Sequence, residues 1–500
     1  MDTSLKTNTI EFFSPVWQGT TVREVTEEVV VPDTMEDVGV ILDTSGILTM
    51  QGKETLQDSV QLSAALAVTV LYAPENGTGL RGIDLTLPAD IRMEASGVDM
   101  DCRTFSAVRM RAVEARLINS RKIHVRAELE ADVTCFRSDC LRIAAGMETE
   151  DVPVHLRCEN VDAVLVSDVR EKTFALTDEY TFPAALGSDL RVLSRRAQIV
   201  TEDVKCVGGK VLFRGRVRSE LMFADRETEN CAVGQYETEF SQIMEIGADG
   251  DDSMPEVRLF LTGAYYDMPE FGRDSRIQAE LHLAVQCVCR AHRPIQYIAD
   301  LYSNRTELAA QRTSLRLVCG ISQVVMRQTV ADRIEGAARD AEMLQSTATV
   351  GPVILEDGAV QTTVNVRLVY GGTNGEYSVS QGRLSAEFTL PESASPVKGL
   401  RDAEVTVTDI YCVPGTGDVR VSLRLDAVAE EETEISCVTA VEEDAEAWAK
   451  RERTPSVALL RVPEGADLWT VAQRYHSTVE DILRVNEGRS EGMLLIPKGR

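Results

Sequence analysis

Cys287 and Cys289 stand two residues apart in the run VQCVCR, close enough to bond to each other or to share a metal. A structural zinc site draws its thiolates from CxxC-type pairs, and neither this pair nor Cys135 and Cys140 has that spacing. Residues at i and i+2 share one face of a strand, so both thiols read as buried, reduced side chains of a β core. Eleven cysteines, an odd number spread over 500 residues, fit a reducing compartment better than a disulfide framework. Of the histidines, His124, His155 and His282 fall in strand-like runs and His476 at a helix junction, none beside a nucleophile. The chain has no HExxH and no phosphate-cradling glycine loop, and acidic neighbours such as Glu27 and Glu28 read as surface charge. The expectation is a protein that is not an enzyme, with no catalytic residues, no metal site and no cofactor.

Charge narrows the partners. A formal net charge of −28 opposes binding to a nucleic-acid backbone or an anionic membrane, both of which need a cationic surface. No stretch has the uninterrupted apolar length of a membrane span, which predicts no membrane insertion. The start, MDTSLKTNTIEFF, lacks the basic residues and apolar run of a secretory signal, so a cytosolic chain is expected.

The elements that would position any site follow a period-two pattern. In Gln61–Tyr72 (QLSAALAVTVLY), Leu62, Ala64, Leu66, Val68, Val70 and Tyr72 share one face of an extended chain. Val211–Phe223 and Gln361–Tyr370 alternate in the same way. Their closing aromatics, Tyr72, Phe223 and Tyr370, are 151 and 147 residues apart (223 − 72 and 370 − 223). A second marker, Val125–Val133 (VRAELEADV), recurs as Ile277–Val285 and Val419–Ala427. Its central leucine follows the closing aromatic by 57, 58 and 53 residues (129 − 72, 281 − 223, 423 − 370), so two landmarks keep step. Polar turns precede each second marker: Asn119-Ser120-Arg121, Arg273-Asp274-Ser275 and Pro414-Gly415-Thr416-Gly417.

The reading is a mainly β protein. Three tandem antiparallel sandwich- or barrel-like repeats are expected over 21–157, 158–296 and 297–440, with the boundaries near Cys158–Val166 and His292–Tyr297. A loose arm over 1–20 precedes them. Met35–Leu42 reads as a helical turn or irregular chain. Ala331–Gln345 has helical composition and suggests an insertion or a crossover. Residues 441–456 form an acidic linker.

The last stretch, 457–498, has a different grammar: strand, two short helices, strand. Leu468, Val471, Ala472 and Tyr475 fall at helical spacing, Ser477 or Thr478 can cap a second helix, and Glu480 and Asp481 open it, where the dipole favours acids. Leu468, Trp469 and Tyr475 read as the core of this small βααβ unit. Gly465, Leu468, Trp469, Ala472, Tyr475, Ile482, Asn486, Gly492, Ile496 and Pro497 follow in the order and spacing of the LysM module, which the segment resembles. That resemblance implies a groove between the turn before the first helix and the turn after the second, where the family binds N-acetylglucosamine-containing glycans. The candidate partner- or glycan-binding residues are therefore Gly465, Ala466, Asp467, Leu468, Asn486, Glu487 and Gly488. Ala466-Asp467 stands where the family usually has Asp-Thr, and the loop from Asn486 to Gly492 is shorter than usual.

Three β repeats ahead of a terminal LysM-like module resemble the clostridial spore-coat morphogenetic proteins with tandem SPOCS domains; VPDTMEDVGVILDTSG and the VLY-closed strand carry the likeness. The resemblance implies a scaffold in the mother-cell cytoplasm, at the forespore surface, whose LysM module binds the coat ATPase, a spore-coat morphogenetic protein. The alternative is a peptidoglycan-binding protein of the cell wall or spore cortex.

Overall fold

The structure is a computed structural model that describes residues 3–149, 153–184, 186–187, 189–247, 253–268, 276–336, 341–356, 358–372, 376–390, 400–413, 415–444 and 456–498. Alternating apolar and polar side chains suit a pleated chain with one face buried, and the described residues before 456 hold strands and turns with no helix. The first six strands are β1 (Thr3–Val30), β2 (Val38–Leu56), β3 (Ser59–Pro74), β4 (Arg81–Glu94), β5 (Arg103–Asn119) and β6 (Lys122–Thr149). β2-β3-β4 is an antiparallel meander, and β6 lies between β1 and β5 in a second sheet. The two sheets bury Leu62 and Ala64 of β3 against Leu129 and Ala131 of β6, as in a β-sandwich.

The same pairing order returns twice. In β7 (Val154–Thr181), β8 (Leu190–Val207), β9 (Lys210–Asp225), β10 (Cys231–Glu245), β11 (Met254–Asp267) and β12 (Arg276–Ser303), the meander is β8-β9-β10 and β12 lies between β7 and β11. The third set is β13 (Leu308–Arg333), β14 (Ala341–Val350), β15 (Ile354–Glu356), β16 (Ala359–Gly372), β17 (Tyr377–Thr389), β18 (Leu400–Cys412) and β19 (Asp418–Glu443). There β16 pairs with β14, β15 and β17, and β19 lies between β13 and β18. Tyr72, Phe223 and Tyr370 are buried in matching surroundings. Tyr72 shares a cluster with Ile123 and Val125, Phe223 with Ile277 and Ala279, and Tyr370 with Val419 and Val421.

The irregularities recur as well. Leu42, Leu193 and Leu344 each bulge out of register beside the residue that faces the closing aromatic. A bulge re-aims a side chain. All three leucines join Leu71, Met222 and Val369, from the reverse faces of β3, β9 and β16, in one apolar cluster drawn from the three sets. Beside it the carboxylate of Asp43 (β2) is buried and accepts from Arg196 (β8) and Arg367 (β16).

The long strands run on beyond the sandwiches as two-stranded ribbons, β1/β6, β7/β12 and β13/β19. Val16, Ser167 and Cys319 are skipped in the pairing, each fourteen residues before its strand's last residue (30 − 16, 181 − 167, 333 − 319). Past these bulges the ribbons pack together through Ile143, Ala163, Ile295, Tyr297, Leu317 and Ile435. Phe13 pairs with Val166, which joins the first two sets into one six-stranded sheet.

Several expectations need correction. The stretch 1–20 is no loose arm, because Thr3–Thr20 pairs with β6 on both sides of the bulge at Val16. The boundaries expected near Cys158–Val166 and His292–Tyr297 fall inside β7 and β12, where the chain stays extended and paired. Pro294 does not end β12: it stays paired with Asp162 of β7, and among the described residues the ladder to β11 stops at Arg290. The helical composition of Ala331–Gln345 is overridden in part. Ala331, Asp332 and Arg333 pair with Arg420, Val419 and Asp418, and β14 begins at Ala341, with 337–340 outside the described residues. Met35 lies in a turn, and β2 starts at Val38 rather than in a helical turn. Val441–Glu443 belongs to β19, and 445–455 of the expected acidic linker lies outside the described residues, as do Arg273-Asp274-Ser275 and Pro414.

Residues 457–497 form β20 (Val457–Val462), α1 (Leu468–Tyr475), α2 (Val479–Val485) and β21 (Gly492–Pro497), with β20 antiparallel to β21.

Candidate functional site

The candidate residues lie at the two ends of the helical pair. Pro463 to Ala466 closes a tight turn, with the Ala466 N–H on the Pro463 carbonyl and Gly465 at φ +75°, the left-handed value that a glycine adopts freely. Asp467 caps α1, its carboxylate accepting from the Trp469 N–H at 3.0 Å, which satisfies one of the free amides of the first turn. Its other oxygen accepts from Arg157 of β7 at 2.7 Å. Gly465 and Asp467 are exposed; Ala466 and Leu468 are half-buried.

At the other end Asn486 caps α2, and its side chain is engaged by main chain. Nδ2 donates to the carbonyls of Ile482 and Leu495, and Oδ1 accepts from the Leu495 N–H at 2.8 Å. The amide thus ties the end of α2 to β21. Glu487 (φ +53°) and Gly488 (φ +83°) turn the chain out of the helix, the Gly488 N–H bonding the Leu483 carbonyl. Glu487 and Gly488 are exposed. Thr478 caps α2, accepting from the Asp481 N–H at 2.9 Å, and Glu480 and Asp481 open the helix as the residue order suggests.

Sequence reasoning missed the surface on which α1 rests. The Trp469 indole N–H donates to Asp300 at 2.8 Å, and Asp300 also holds Arg312. The Tyr302 ring meets the Trp469 ring edge-on at 4.8 Å between centroids, and its hydroxyl donates to the Ser477 carbonyl at 2.9 Å. Burial pushes the Tyr302 phenol up to about 12, so it stays a donor. On its other side Tyr302 packs at 5.0 Å against His155, whose second contact is Asn304. Burial holds the His155 imidazole below its ordinary value, against the opposing pull of Glu480 and Asp481. Trp469 is therefore a joint between the βααβ unit and β12 as well as part of the unit's core. A buried tyrosine at a strand end, needing a partner for its hydroxyl, was the available signal.

Elsewhere, Cys287 and Cys289 lie with their sulfurs 3.4 Å apart in the core of the second sandwich, and a hydrogen bond between them, with burial, pushes the Cys287 thiol up, away from the reactive thiolate. Among the described residues no group of three or more His, Cys, Asp or Glu is placed to hold a metal. A cleft of about 250 Å³ on the β1-β6-β5 sheet is lined by Glu24, Glu114, Arg116, His124 and Arg126, cross-strand neighbours on its outer surface. No helix among the described residues is long and apolar enough to cross a membrane.

No protein-family model matches the chain, and no curated protein matches it in sequence.

Proposed function

We propose that the chain is a non-enzymatic scaffold of spore-coat assembly: a SPOCS-like β domain copied three times, ending in a LysM-like adaptor. In this reading it works in the mother-cell cytoplasm, the β units make assembly contacts at the forespore surface, and the adaptor binds the coat ATPase. One observation carries the proposal. The same strand pairing, with bulges at matching places, occurs three times ahead of a βααβ unit. Large sheet surfaces and a terminal unit held on β12 by Trp469 suit a protein that holds others in place. The residue order of 457–498 supports the LysM resemblance, and the engagement of Asn486 and Asp467 by the chain's own groups leaves fewer polar side chains free for a sugar.

The test is a binding comparison on the full chain. Purified coat ATPase, chitin oligomers and peptidoglycan fragments are titrated separately by calorimetry. Saturable binding of the ATPase with none of either glycan is expected. Tight glycan binding with no ATPase binding would replace the scaffold by a cell-wall or cortex binder.

A further inference from the structure

The outer face of the β20/β21 ribbon is apolar and exposed. Alternation sends Leu460, Val462, Leu494 and Ile496 inward onto the helices. It sends Val457, Leu459, Met493 and Leu495 outward, where they are 53, 62, 58 and 42% exposed. Leu459 and Leu495 are directly opposed in register, and Met493 faces Arg461, so these side chains adjoin one another. Single exposed apolar side chains are ordinary; four together on a unit this small mark a contact surface. Arg461 is exposed, is the only charged side chain among the outward residues of the two strands, and makes no ion pair or hydrogen bond among the described residues.

We propose that this face, rather than the Gly465–Leu468 and Asn486–Gly488 turns, is where the terminal unit grips its protein partner. The occupant is an apolar protein segment that brings a carboxylate to Arg461. This deepens the adaptor reading and rests on it. Several features select that occupant. The face presents aliphatic carbon with no aromatic ring and one cation, which suits a hydrocarbon surface with an acid at its margin and not a sugar. A few side chains fall short of the roughly 800 Å² per partner of a standard interface, which points to one helix or strand. A second copy docked through the same face would bury two Arg461 side chains in one interface with no acid among the outward residues to offset them. A net charge of −28 opposes an anionic membrane.

The test uses the full chain and purified coat ATPase as the probe, with sedimentation velocity run alongside. Leu459→Glu and Leu495→Glu are each expected to weaken binding about tenfold or more, the range of a lost interface anchor, and Arg461→Glu severalfold. Because these side chains are exposed, the melting temperature stays at the wild-type value. Wild-type affinity in both leucine variants overturns the assignment of the face while leaving the adaptor reading intact. Failure of the unsubstituted chain to bind the ATPase overturns both. Self-association of the wild type that Leu459→Glu abolishes, with ATPase binding untouched, makes the occupant a second copy and overturns the proposal. If a leucine variant lowers the melting temperature, Arg461→Glu decides, and unchanged affinity there counts against it.

Discussion

Tyr302 shows how much one side chain can hold. Its ring fills the space between His155 and Trp469, and its hydroxyl satisfies the Ser477 carbonyl. Tyr302→Phe keeps the ring and orphans that carbonyl, a loss on the order of 1–3 kcal/mol. Faster amide exchange across Val479–Val485, with the β sandwiches unchanged, is the expected result. His155 adds a pH dependence. Its folded pKa is lowered by burial, so the unfolded chain takes up the proton first. Its contribution is present above about 6.5, the unfolded value, and is lost as pH falls below it. The seating of α1 on β12 should loosen between pH 7 and 5.5, and His155→Gln should flatten that change in exchange of the same amides. An unaltered pH profile in the variant would show that other groups govern it. The Asp467 cap was legible in principle, since Asp before a helix is a standard start; its bond to Arg157, 310 residues earlier, was not.

At the scale of elements, the bulges carry more meaning than the strands around them. Leu42 and Leu193 are fully or almost fully buried in the cluster where the three sandwiches meet, and Leu344 is partly buried there. Leu42→Ala should cost roughly 2–5 kcal/mol, the range for emptying a packed leucine site, and Leu344→Ala less. Urea midpoints of the two variants check the order; equal losses would show that depth in this cluster does not set the cost. The strands themselves were readable because alternation is a local signal. Val217, Leu221 and Phe223 are buried, while Arg216 and Arg218 on the other face pair with Glu237 of the neighbouring strand. The first half of β1 was unreadable for the opposite reason. TSLKTNT has a weak pattern of its own and becomes a strand because β6 supplies a partner more than a hundred residues later.

For the whole molecule, the arrangement depends on backbones that approach closely. A methyl group on Gly82 of β4 would fall on the Leu193 carbonyl of β8, well inside van der Waals contact. Gly82→Ala should therefore push the first two sandwiches apart and cost on the order of 1–3 kcal/mol, because backbone cannot swing aside as a flexible side chain can. A lower melting temperature is the expected reading; Gly52→Ala, where no atom lies within 4 Å, serves as the control and should stay close to wild type.

By itself the sequence determined the β class, the recurrence of two marker strands, and the strand–helix–helix–strand order of the last forty residues. Each rests on side chains only a few positions apart, where alternation and helical spacing act. Tertiary structure decided what distant segments do to one another. It set the length of the ribbons, the meeting of Leu71, Met222 and Val369, the sharing of Asp43 between Arg196 and Arg367, and the seat of Trp469 on Asp300 and Tyr302. None of these has a local signature, because a carboxylate or an indole is specified by the partner that satisfies it, and that partner is chosen only when the chain closes on itself.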